Sequence, residues 1–151
     1  MRDAFGGTAM LYIIIIFIVL YVTFVAVAFS YAKAFRAKNR IIDYIEQHEG
    51  IRDFNNNDEM GDVVYPITSN NLYDNKIDIN DISKYGPQSG ERGRCMDKPA
   101  VCIVEYNYTN AGMQSRYYRV TTFLRIELPI FKLNFTVPVQ GETRKIDLIN
   151  R

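Results

Sequence analysis

The sequence has no tryptophan, a single histidine and only two cysteines among its 151 residues. With His48 as the one imidazole, no pairing of a serine or cysteine nucleophile with a histidine base is indicated. The motifs G-x-S-x-G and HExxH and a phosphate-cradling glycine loop are also absent from the sequence. We therefore expect no catalytic residues, no metal site, no cofactor and no enzymatic activity.

Excess charge of either sign is missing too, because 18 Lys and Arg face 17 Asp and Glu. Without a basic excess there is little to drive phosphate binding, so nucleic acid is not an expected partner, and no small-molecule substrate is evident.

His48 lies in the last turn of a predicted helix, near Glu46 and Glu49. Such a residue is most simply a surface or capping side chain that interacts with the helix dipole.

Charge is absent altogether from the 24 residues Ala9 to Ala32. About 20 apolar residues suffice for a helix to cross the hydrocarbon core of a bilayer. Many residues of this run are β-branched, but in lipid the backbone must close its hydrogen bonds within one segment, which favours a helix. The run therefore predicts a transmembrane helix in contact with membrane lipid.

Two alternatives compete with the anchor. A buried core helix would need more apolar sequence around it than so short a chain provides. A cleaved secretory signal would end at Ala28, because Ala26-Val27-Ala28 is typical of a processing site. The apolar run is long for a signal peptide and the helical pattern continues past that site, so we expect an uncleaved anchor.

After the anchor, residues 33–50 place apolar side chains at steps of three and four, which predicts an amphipathic helix. No proline or glycine lies between Thr8 and Gly50, so anchor and extension form one rod of about 60 Å, with Gly50 as its C′ residue. The expected organisation is a leader (1–8), a transmembrane helix (9–32), its amphipathic extension (33–50) and an extracytoplasmic head (51–151).

The first half of the head reads mainly as loop. The Asn- and Asp-rich stretch after Arg52 fails as a calcium loop at Asp58 and Val64, and it predicts a solvated loop followed by a short strand or extended segment at 63–65. Asn80 is placed to cap a short helix that ends at Tyr85. The composition of residues 86–99 indicates another loop.

The second half of the head predicts antiparallel strands. Alternation over 101–108, a turn at 109–112 and a return over 115–128 indicate a hairpin, and 131–139 with 143–148 add one or two strands. Pro129 and Pro138 belong at strand ends or sheet edges, because proline donates no ladder hydrogen bond. The expected fold class is α+β, with the long N-terminal helix packed on a small antiparallel sheet.

Cysteine and tyrosine mark two further features of the head. Cys95 and Cys102 lie seven positions apart beside a strand, and a disulfide is the simplest state for them, with two free thiols or a metal site as the alternatives. Four tyrosines cluster near the ends of the hairpin, and they favour sheet packing or a protein contact surface: Tyr106, Tyr108, Tyr117 and Tyr118.

The leader MRDAFGGT, followed by an uncharged helix, resembles the processing site of type IV pilins, which is cut after a glycine. In the Flp and Tad group a Glu and a Tyr stand fifth and sixth after the cut; counted from Gly7, Tyr12 matches and Leu11 departs. The segments AKNRIIDYIEQHEG and IELPIFKLNFTVPVQGETRKID are similar to the TadE-like family of minor pilins.

This resemblance implies a non-enzymatic structural or assembly component of a Tad-type pilus, with cleavage after Gly6 or Gly7. It implies that the helix packs against other pilin-like subunits or assembly proteins, and the aromatic residues expected at that packing surface are Tyr12, Phe17, Tyr21, Phe24 and Phe29. The alternative is a membrane-anchored extracytoplasmic binding or accessory domain unrelated to pili.

The charges that flank the anchor favour a cytoplasmic head. Only Arg2 precedes the span, whereas four basic residues follow it between Lys33 and Arg40, so the positive-inside count places the head in the cytoplasm. We expect the opposite, a single-pass protein of the cell membrane with a cytoplasmic N-terminus and an extracytoplasmic head. The cysteine pair favours an oxidising compartment, and long domains translocate largely regardless of flanking charge.

Overall fold

A computed structural model of the chain describes residues 2–69, 73, 75–110, 113–128 and 133–147. Helix α1 runs without interruption through Arg2–Gln47, a length of about 70 Å at 1.5 Å per residue. The predicted single rod is confirmed, and the helix already includes the leader glycines Gly6 and Gly7. Its end differs from expectation by one residue: Glu49 takes the left-handed conformation, with φ 56°, and the N–H of Gly50 donates to the carbonyl of Ile45 at 2.9 Å.

Helix α2, Asn57–Thr68, replaces the predicted solvated loop and extended segment. Asn56 caps it by accepting the N–H of Asp58 at 2.9 Å. Pro66 lies in its last turn, where it interrupts only the end of the hydrogen-bond ladder. The helix forms because its buried side chains recur at helical spacing and pack on α1: Met60, Val63, Val64 and Ile67.

The predicted short helix is confirmed, but its cap is different. Helix α3 covers Ile79–Ile82 and continues as a 3-10 turn over Ser83–Tyr85. Asp78 is the N-cap, because its Oδ1 accepts the N–H of Asn80 at 2.9 Å. Asn80 therefore lies inside the helix that it was expected to cap.

Within the described residues, five antiparallel strands make one sheet: β1 Arg92–Asp97, β2 Ala100–Asn110, β3 Met113–Leu128, β4 Leu133–Glu142 and β5 Ile146–Asp147. Strands β1 to β4 are neighbours in chain order, and β5 pairs with the start of β3. The predicted hairpin is confirmed as β2 and β3, whereas β1 corrects the loop expected over 86–99. Pro138 lies in the edge strand β4, as a proline should, while Pro129, Ala111 and Gly112 lie outside the described residues.

Helix α1 supplies the centre of the main core, which confirms the α+β fold. Ala34, Ala37, Ile41 and Ile45 are fully buried against one face of the sheet and against α2. The opposite face of the sheet carries a smaller cluster around Phe123 and Cys102, covered by Ile82 of α3. One stretch of the helix is thus the main support of the head.

Candidate functional site

The amino-terminal part of α1 is the most unusual surface of the molecule. Every described side chain from Gly7 to Val22 is exposed, and Phe17 is 71% accessible. The residues predicted for helix packing all belong to this exposed surface or its continuation: Tyr12, Phe17, Tyr21, Phe24 and Phe29. The segment is long and apolar enough to cross a membrane, and none of its most apolar window is buried by the rest of the molecule.

The predicted processing position lies within α1. A Cβ built on Gly7 would meet no atom within 4 Å, so this part of the backbone is open on its side-chain side. The side-chain surroundings of Gly6 lie outside the described residues. Cleavage after Gly6 or Gly7 stays a prediction.

Lys38 and Arg40, two of the basic residues that follow the span, bind the head. Lys38 is buried across Gly141 of β4, and its Nζ lies 4.3 Å from the centre of the Phe35 ring. The guanidinium of Arg40 donates to the carbonyl of Pro66 at 3.1 Å. Lys33 and Arg36 are exposed, so these two cations face outward where α1 leaves the uncharged run.

The predicted disulfide is present between Cys95 and Cys102. The two residues are direct partners in the β1–β2 register, with their Cα atoms 4.1 Å apart. The bridge therefore links two neighbouring strands, whereas the sequence had placed Cys95 in a loop. Cys102 is fully buried beside Phe123 and Ile82, so the bridge also belongs to the smaller core.

The four tyrosines of the hairpin divide between the two faces of the sheet. Tyr106 and Tyr117 stack with their ring centres 5.2 Å apart, and Arg119 lies over Tyr106 at 4.8 Å. Arg119 also pairs with Glu142 at 2.9 Å, and that hydrogen bond is the main cause that raises the pKa of the guanidinium. Arg119 thus binds two partners within the sheet, Tyr106 and Glu142, which is a packing role.

Tyr118 points to the other face and ties the sheet to the end of α1. Its hydroxyl accepts the N–H of Ile51 at 3.1 Å, and Arg116 beside it donates to the carbonyl of Glu49 at 2.8 Å. Burial raises the pKa of Tyr118, which keeps the hydroxyl protonated. These bonds support the turn that carries the chain out of the helix.

His48 packs at the same helix end. Its ring stacks on Tyr44 with centres 4.0 Å apart, and Nδ1 lies 2.9 Å from the carbonyl oxygen of Tyr44. The exposed position confirms a surface residue at the helix terminus. Within the described residues, no three His, Cys, Asp or Glu side chains converge on a point that could hold a metal ion.

The described side chains thus form a membrane-length apolar helix that is built into a disulfide-linked α+β head. Comparison of the chain with protein-family models, with characterised proteins and with solved structures finds no match.

Proposed function

We propose that this chain is a non-enzymatic structural or assembly component of a Tad-type, type IV pilus-like system. It is anchored by α1, with its N-terminus in the cytoplasm and its head outside. The observation that carries the proposal is the single helix: residues 7–22 are exposed on every side, and the same helix supplies the buried core of the head at Ala34 to Ile45.

Exposure of the apolar segment leaves it available to lipid and to the helices of other subunits. Association of helices in lipid is driven by side-chain packing, since lipid tails are as apolar as leucine. Aromatic residues such as Phe17 and Phe24 protrude furthest from the helix, with 71% and 72% of their surface accessible. They are therefore well placed to interlock with neighbouring helices.

The disulfide supports an extracytoplasmic head. Stable disulfides persist in oxidising compartments and are rare in the cytosol. Partial burial of the Cys95–Cys102 bridge shields it from solution reductants. Burial of Lys38 against the head also leaves one fewer cation exposed next to the bilayer than the sequence count suggests.

Orientation is tested by labelling with a membrane-impermeant maleimide. Ser89→Cys places a thiol at an exposed position of the head, and Thr8→Cys places one at the other end of the span. We expect Ser89→Cys to react in intact cells and Thr8→Cys to react only after lysis, with the unmodified chain as the unlabelled control. The reverse pattern would mean a cytoplasmic adaptor tethered to the membrane.

The pilus role is tested separately by mapping the amino terminus and the neighbours of α1. We expect a new terminus directly after Gly6 or Gly7; one at Phe29 would instead indicate signal peptidase. A photoreactive residue at Tyr21 should cross-link to a second copy or to another pilin-like subunit, whereas one at Tyr65 of α2 should not. An intact Met1 with lipid adducts alone at Tyr21 would leave an anchored accessory domain.

A further inference from the structure

The side chains of α1 begin to lose exposure well inside the uncharged run. Thr23, Val27 and Ser30 are half-buried, and their spacing of four and three residues leads directly into the buried stripe that starts at Ala34. Side chains from Gly7 to Val22 are exposed without exception. Exposure of α1 thus falls over the last ten residues of the apolar segment, about 15 Å of helix, which we call the overlap.

The register between sheet and helix explains this overlap. Tyr118 lies by Ile51 at the far end of α1, and four residues later the hydroxyl of Thr122 donates to the carbonyl of Ala34 at 3.0 Å. Strand β3 thus runs back along the helix towards the apolar segment. It continues for six residues beyond Thr122, about 20 Å of strand, in the direction of the apolar segment.

The length of the uncharged segment places this overlap inside a bilayer. Ala4 to Ala32 comprises 29 residues without a charge, about 43 Å of helix. That length matches the full thickness of a bilayer with its headgroup regions, about 40–45 Å. The overlap from Thr23 to Ala32 then lies at the boundary of headgroups and acyl chains in the leaflet on the head side.

An exposed apolar patch occupies this level. Phe135 and Val137 on the helix-facing side of β4 are 45% and 40% accessible. On α1, Tyr31 and Phe35 are also exposed, and they stack with ring centres 6.3 Å apart. Lys38 links the two elements, because it crosses Gly141 of β4 and reaches the Phe35 ring. We call these four aromatic and aliphatic residues the leaflet patch: Tyr31, Phe35, Phe135 and Val137.

We propose that the leaflet patch is a second membrane contact, through which the β3–β4 end of the sheet inserts into the headgroup and acyl boundary beside α1. Lipid is the occupant because the patch is continuous with the membrane-length helix. Lys33 and Arg36 are exposed at the same level, where they can pair with lipid phosphates. Arg125 and Thr136 are exposed on the opposite face of these strands, so that face stays near water.

The proposal rests on membrane anchoring by α1, and tryptophan fluorescence separates the two. Because the sequence has no tryptophan, Phe135→Trp gives the full-length protein a single reporter. The variant is reconstituted into vesicles of equal parts phosphatidylcholine and phosphatidylglycerol, with and without brominated acyl chains. Phe17→Trp reports the anchor itself, and Tyr65→Trp, at a site 65% exposed on α2, is the matched control in the head.

We expect bromine to quench Phe135→Trp comparably with Phe17→Trp and to leave Tyr65→Trp unchanged, and we expect blue-shifted emission from Phe135→Trp. Equal behaviour of Phe135→Trp and Tyr65→Trp, with Phe17→Trp quenched, would overturn the second contact and keep the anchor. An unquenched Phe17→Trp would overturn the anchor as well.

Folding and self-association are controlled in the same samples. Val137→Trp repeats the measurement at the neighbouring patch position, and formation of the Cys95–Cys102 bridge in each variant verifies the fold. If emission from Phe135→Trp is blue-shifted without bromine quenching and becomes red-shifted as protein is diluted in lipid, a second copy covers the patch and the lipid assignment is wrong.

Discussion

The phenol oxygen of Tyr73 lies 2.7 Å from both the backbone nitrogen and the carbonyl oxygen of Phe123. It also lies 2.9 Å from the carbonyl of Ala100, where β2 begins. Asn75 adds a donor to the Phe123 carbonyl at 3.0 Å. The Tyr73 side chain thus takes the place of a β2 residue beside Phe123, just before β2 begins at Ala100.

Replacing Tyr73 by phenylalanine should destabilise the protein by about 1–3 kcal/mol, because the buried N–H of Phe123 loses its acceptor. Denaturant unfolding of the full-length protein in detergent measures this change. Tyr65→Phe, on the exposed face of α2, is the matched control and should leave the midpoint in place. A Tyr73→Phe protein as stable as the control would show that water satisfies the Phe123 N–H.

Alkaline pH should destabilise the protein through the same residue. Burial raises the pKa of Tyr73 to about 12 from 10.0, so the unfolded chain loses this proton at lower pH than the folded chain. The contribution of Tyr73 to the free energy of unfolding is therefore fully present below pH 10. It falls as the pH rises towards 12, by up to about 3 kcal/mol. Unfolding across that range should show a shrinking difference between the wild-type and Tyr73→Phe proteins. A constant difference would contradict the shifted pKa.

Removal of the bridge by Cys95→Ala with Cys102→Ala should cost about 2–4 kcal/mol on the chain-entropy estimate. The loss adds to that of packing beside Phe123, because Cys102 is fully buried. Unfolding with and without reductant measures it: reductant should shift the wild-type midpoint and leave the double variant unchanged. Alkylation of both native cysteines without reductant, in protein from intact cells, would show that the bridge does not form there.

Two glycines should respond to alanine with opposite signs. A Cβ at Gly93 of β1 would lie within 2.9 Å of the Cα of Val104 and closer still to the carbonyl oxygen of Ile103, so the backbones of β1 and β2 must separate. A Cβ at Gly61 of α2 meets nothing within 4 Å, and alanine favours a helix by about 1 kcal/mol. We expect Gly93→Ala to lower the melting temperature and Gly61→Ala to raise it. A neutral Gly93→Ala would show that β1 is a loosely held edge.

Long periodic patterns predicted the structure best. The uncharged run and its amphipathic extension fix a helix over many turns, and alternation over β2 and β3 fixes a hairpin, so both could be predicted. Helix α2 was missed because Asn55 to Asp58 and Pro66 favour a loop, although Met60, Val63, Val64 and Ile67 carry helical spacing. The β1 strand was missed because its pairing with β2 defines it, and its own composition is that of a loop.

The features of the candidate site could also be predicted only in part from the sequence. Exposure of the aromatic residues on α1 follows from the lack of apolar sequence to cover them, and the cysteine pair follows from its spacing beside a strand. The direction of β3 along α1 follows from the bonds of Tyr118 to Ile51 and of Thr122 to Ala34, and Thr122 and Ala34 are 88 positions apart. Periodicity carries no information about such a register.

The uninterrupted helix also decides how the molecule bears mechanical load. A head joined to its anchor by a linker can swivel, and tension on it peels contacts away one at a time. Here tension along α1 acts parallel to the interface between the helix and the sheet. The helix residues packed at that interface are Ala34, Ala37, Ile41 and Ile45. These contacts are loaded in shear and must yield together, so the joint between α1 and the head resists tension along the helix.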